Sequence, residues 1–119
     1  MENFKSLGVM LDCSRDAVYT VDALNDYFSL LAKMGYNTVQ LYTEDTYEID
    51  GEPHFGYLRG RYSRSELKEL DAYARAQGIE LIPCIQTLAH LGAITRWAEY
   101  RDVVDTGDIL LAGDERTYE

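Results

Sequence analysis

Three short apolar runs, each the length of a buried strand and each ending in polar residues, limit what this chain can fold into. They are residues 7–12 (LGVMLD), 37–43 (NTVQLYT) and 79–85 (IELIPCI). Runs of this length, bounded by polar or turn residues, are expected as strands buried on both faces. Between them the apolar residues fall at helical spacing instead. Thr20 stands as an N-cap, Val21, Leu24, Phe28, Leu31 and Met34 form one stripe, and Gly35 is a stop signal. Ser63-Arg64-Ser65-Glu66 has capping-box spacing, Leu67, Leu70, Tyr73 and Ala74 share a face, and Gly78 ends the second helix. The order β-α-β-α-β, with one-sided helices, predicts parallel strands joined by right-handed crossovers.

That order fits either an open doubly wound sheet or part of a (β/α)8 barrel. A nucleotide-binding sheet would carry glycines after its first strand, where a phosphate approaches helix amides. This chain has Cys13-Ser14-Arg15-Asp16 there. The loop EIDGEPHFGYLRGRYS at 48–63 is long for a connector and carries a Gly-Glu-Pro turn signal. Beyond the third run, residues 93–100 are expected as a short helix, 102–108 as irregular, and 109–111 as a brief apolar patch.

The 119 residues are 46% hydrophobic, enough for one small packed domain or a piece of a larger one. With 21 acids against 11 Lys plus Arg, the net charge of -10 disfavours nucleic acid and anionic membrane partners. No stretch has the roughly 20 apolar residues of a membrane span, and the start lacks a basic segment leading into a long apolar one. A cytoplasmic location is therefore expected, and Cys13 and Cys84, without CxxC spacing, are expected as free thiols.

Loops after parallel strands converge on one face, the carboxyl end of the sheet. Here those loops hold Asp12 to Arg15, Tyr42 to Asp45, and Gln86 to His90, with Tyr47 and Trp97 as nearby aromatics. Singly, each is as well explained by a capped turn or a solvated loop. Together they suggest a polar pocket. An arginine fork suits vicinal hydroxyls and aromatic faces suit a sugar ring, so the expected ligand is a neutral polyol. No second histidine stands at ligand spacing, His54 being in the long loop, so neither a metal nor another cofactor is expected.

MLDCSR, YNTVQLYTEDTYE and GIELIPCIQTLAHL, in this order, resemble the start of the catalytic barrel of family 20 glycoside hydrolases, the β-N-acetylhexosaminidases, over residues 7–119. More narrowly they resemble a divergent bacterial branch lacking the usual His-x-x-Asp histidine, since Tyr42-Thr43-Glu44-Asp45 stands there, and Ala89-His90 replaces Gly-His. The resemblance implies that Arg15 binds hydroxyls of a terminal N-acetylhexosamine, and that Asp45 and His90 form a relay supporting a catalytic glutamate. Glu44 has no clear counterpart; a sugar contact and a solvated turn both remain open. Family members of this kind are retaining and use the substrate's 2-acetamido oxygen as nucleophile. Their acid is the glutamate of an adjacent Asp-Glu pair ending the fourth strand.

Asp114-Glu115 is not expected to be that pair, because no apolar strand leads into it and the segment reads as a capped helix start. A whole barrel takes about 250 residues. The chain is therefore expected to be a partial TIM-barrel domain, residues 1–119, with three βα units and truncation before the fourth strand. Alone it would be inactive and self-associating, because its sheet edges are open. The alternatives are a non-catalytic α/β binding or assembly module and a different carbohydrate-acting barrel.

Overall fold

A computed structural model describes residues 4–118. The apolar runs form strands β1 (Gly8–Asp12), β2 (Thr38–Tyr42) and β3 (Glu80–Cys84), paired in parallel in the order β1-β2-β3. Registers are continuous, Asp12 pairing with Tyr42 and Tyr42 with Cys84, so all three strands end at one level. The mixed α/β architecture with parallel strands, predicted from the alternating periods, is the one observed.

Helices α1 (Val21–Lys33) and α2 (Arg64–Ala76) supply the crossovers. Both start at the expected caps. Thr20 Oγ1 accepts from the Ala23 amide at 3.2 Å, and Ser63 with Glu66 completes a reciprocal capping box. Both end before a glycine in the left-handed region, Gly35 (φ 88°) and Gly78 (φ 77°), which a side chain would strain. Leu24, Phe28 and Leu31 of α1, with Leu70 and Ala74 of α2, pack on Leu11, Val39 and Leu41. Met34 is the exception to the predicted stripe: it is the C-cap and is 60% exposed.

Helices cover only one face of the sheet. Met10, which alternates to the other face, is 56% exposed. At the outer edge of β3, a cavity of about 300 Å³ is lined by Leu41, Leu67, Leu81, Pro83 and Ile85.

The C-terminal quarter departs from expectation. The predicted helix at 93–100 breaks into α3 (Gly92–Thr95) and a 3-10 helix (Ala98–Val103), with Trp97 extended between them. Trp97 leaves helical geometry to stack on His54 at 4.8 Å, a contact no local pattern encodes. The expected irregular segment and apolar patch pair instead as a hairpin, β4 (Val104–Thr106) and β5 (Ile109–Leu110), turning at Gly107 (φ 57°). Strands of two or three residues are too short to show a period. A second apolar cluster of Phe55, Leu91, Ile94, Tyr100 and Val103 joins this region to the long loop. The expected C-terminal helix start is a 3-10 turn (Glu115–Tyr118), and Asp114 does cap it, accepting from the Arg116 amide at 3.0 Å.

Among the described residues no helix is long and apolar enough to cross a membrane. Cys13 is buried and Cys84 half-buried, and both are free thiols.

Candidate functional site at the carboxyl ends of the strands

Because the strands end level, the residues that follow them meet. Asp12 organises the first loop: it accepts from the Ser14 amide at 2.9 Å, the Ser14 hydroxyl at 2.8 Å and the Arg15 amide at 3.3 Å, and pairs with the Arg15 guanidinium. Burial opposes ionisation of Asp12, but the Ser14 donors and the Arg15 charge outweigh it and hold the carboxyl at about 2. A depressed carboxyl stabilises the fold above its unfolded value near 4, and that contribution disappears as pH falls through about 2. A carboxyl-carbon NMR titration is therefore expected to show Asp12 still ionised at about pH 3, where ordinary carboxylates are mostly protonated.

The Arg15 guanidinium lies over the Tyr42 ring, 5.5 Å from its centroid. Its side chain is 69% exposed, so N–H donors beyond the Asp12 pair face outward. The Tyr42 hydroxyl donates to Glu44 Oε1 at 3.0 Å and accepts from Gln86 Nε2 at 2.8 Å. Burial and the Glu44 carboxylate raise the Tyr42 pKa against the Gln86 bond, keeping the phenol protonated. Arg15, Tyr42, Glu44 and Gln86 thus form one polar cluster spanning the ends of β1, β2 and β3. Glu44 sits at φ 49°, an uncommon conformation for a side-chain-bearing residue, in a turn closed by the Thr46 amide on the Thr43 carbonyl at 2.8 Å.

Asp45 points the other way. It is 1% exposed, and Arg59 reaches its Oδ1 from Nη2 at 3.1 Å and from Nε at 3.2 Å. The same Nη2 donates to the Ser14 carbonyl at 2.6 Å and lies 3.8 Å from Glu44 Oε2. His90, at φ 60° and largely exposed, stands apart, its Nδ1 3.9 Å from Asp108. Asp45 and His90 share no hydrogen bond or ion pair. Arg15 and Glu44 are therefore brought together, Asp45 lies beneath them, and His90 is on a separate loop.

The aromatics expected at a sugar face are engaged elsewhere. Tyr47 packs on Phe55, and Trp97 on His54 and Tyr57. Sequence reasoning missed Arg59; its only signal was that an acid beside a buried strand needs a cation, and the long loop is where one could come from. Among the described residues no group of three or more His, Cys, Asp or Glu side chains is placed to hold a metal ion.

Residues 4–116 match the family model described as glycosyl hydrolase family 20, catalytic domain. Hexosaminidase D of Bos taurus is 34% identical over 70 residues, which is 57% of this chain and 20% of that protein. Hexosaminidase D of Homo sapiens is 30% identical over 86 residues, 70% of this chain and 18% of that one. The chain therefore matches about a fifth of the length of these relatives. Among solved structures, the family 20 exo-β-N-acetylglucosaminidase of Vibrio harveyi in complex with N-acetylglucosamine superposes with a TM-score of 0.83. Identity there is 19%, over 98% of this chain and 24% of that one.

Proposed function

Since the chain belongs to glycosyl hydrolase family 20, we propose that its strand ends form one side of a site that removes terminal, non-reducing β-linked N-acetylhexosamine. The observation carrying this reading is the cluster of Arg15, Tyr42, Glu44 and Gln86 across three level strand ends. Arg15 offers charged donors and Glu44 a charged acceptor, a pairing suited to adjacent sugar hydroxyls. Tyr42 sets the height of both.

The reaction proposed is retaining and substrate-assisted. The 2-acetamido oxygen attacks the anomeric carbon while a glutamic acid protonates the departing oxygen, and the resulting carboxylate then activates water. We propose that this acid and its neighbouring aspartate come from a further strand outside these 119 residues, next to β3. Asp114 and Glu115 fit the role poorly, because Asp114 caps and Glu115 begins a 3-10 turn, and neither stands at the end of a strand of the parallel sheet. His90, on the loop after β3, is where an imidazole could meet such an acid. In this arrangement Asp45 supports the site through Arg59, and Glu44 is the carboxylate facing the hydroxyls. The open edges of β1 and β3 are where the remaining strands, or a second copy of this piece, would add.

The test is hydrolysis of an aryl N-acetyl-β-glucosaminide, with proton NMR of the first sugar released. A polypeptide extended to a complete barrel is expected to turn over and release the β-anomer, and the 119 residues alone are expected to release nothing. Turnover by the 119 residues would place the acid within them and overturn the assignment.

A further inference from the structure

We propose that Arg59 is a positioning residue for substrate binding, a strap that fixes the Arg15 loop to the Glu44 turn. The proposal rests on the site reading given above. Three observations carry it. First, one guanidinium reaches two loops: it bonds the Asp45 carboxylate and the Ser14 carbonyl, and comes within 3.8 Å of Glu44. Ser14 directly precedes Arg15, so the strap acts one residue from the fork proposed to read the sugar.

Second, although Cys13 and Val18 anchor that loop in the core, it does not pack directly against the segment that carries Arg59. A cavity of about 210 Å³ lies between Ser14, Ala17, Val18 and the Leu58-Arg59 segment. Across that gap the Arg59 bond to the Ser14 carbonyl, at 2.6 Å, is the direct tie between the two segments. Third, Arg59 is held by its own backbone, between Leu58 (φ 61°) and Gly60 (φ 68°), which turn the long loop back toward β1. The planar fork can serve the carboxylate and the carbonyl together, which a lysine ammonium on a flexible stem does poorly.

The experiment replaces Arg59 by Lys in the polypeptide extended to a complete barrel, keeping a positive charge for Asp45 while loosening the grip on Ser14. Hydrogen exchange of residues 13–18 is expected to accelerate about tenfold while α1 keeps its rate. KM for an aryl N-acetyl-β-glucosaminide is expected to rise about fivefold or more, with kcat within about twofold. Unchanged exchange, unchanged KM, or a fall in kcat at constant KM overturns the proposal. If the wild-type polypeptide extended to a complete barrel hydrolyses no N-acetylhexosaminide, the catalytic reading fails. Exchange and titration with N-acetylglucosamine then decide the strap separately: faster exchange and weaker binding support it, and no change in either overturns it. Should Arg59→Lys not fold, the double variant Arg59→Gln with Asp45→Asn removes both charges and is read the same way.

Discussion

Replacing Arg59 by Met is expected to destabilise the protein by about 3–5 kcal/mol, among the largest effects a single substitution can have here. The cause is Asp45 rather than the arginine's own contacts. Its carboxylate is 1% exposed, and Arg59 is its ion-pair partner among the described residues. Without that partner, a charge stays in a site that water does not reach. Asp45→Leu in the Arg59→Met background should recover most of the loss, because replacing both members of a buried pair is often neutral. A double-mutant cycle by urea denaturation measures the coupling. Additive losses, with no recovery, would mean that the pair contributes little and that packing alone makes the site sensitive.

The second large effect is expected at Gly56, where alanine should cost about 3 kcal/mol or more. Gly56 sits at φ 65°, and left-handed backbone alone costs an L residue roughly 1–2 kcal/mol. Its special feature is the neighbour: an added Cβ would run into the Asp45 carbonyl oxygen, with Arg61 Cβ only 3.0 Å away. Backbone cannot yield as a side-chain tip can, so the Glu44-Asp45 turn would have to shift. Gly51 is the control, since it has φ 86° with nothing within 4 Å of an added Cβ. Gly51→Ala should cost only the conformational part, about 1–2 kcal/mol. Thermal melts of the two variants separate strain from collision, and equal losses would remove the collision from the account.

Both effects lie in the long loop, the part of the chain least readable in advance. Elements fixed by neighbours in sequence were legible: the apolar strand runs, the α1 and α2 stripes, the caps Thr20 and Ser63, and the stops Gly35 and Gly78 each answer to a rule reaching four residues or fewer. What escaped was fixed by distance. Trp97 breaks a helix for His54, 43 positions earlier, and residues 104–110 pair as strands too short to carry a period.

The site divides in the same way. That Arg15 and Glu44 stand on one face follows from parallel strands with loops at their ends, and the structure brings both to Tyr42. Which of two adjacent acids turns inward depends on the backbone at position 44, whose φ of 49° sends Asp45 under the sheet end toward Arg59. That Arg59 pairs with Asp45 is set by the path of the long loop, 14 residues away, which no spacing rule reaches.

The central claim, that the three strand ends hold a terminal N-acetylhexosamine through Arg15, is tested most directly by the affinity of the intact protein for N-acetylglucosamine with and without that arginine. Hydrogen bonds to a charged group contribute about 1.5–3 kcal/mol, so Arg15→Ala should weaken binding about 10- to 150-fold. Its exposed position predicts only a small loss of melting temperature, that of the surface pair with Asp12. Equal affinity in the two proteins, both folded, would contradict the account.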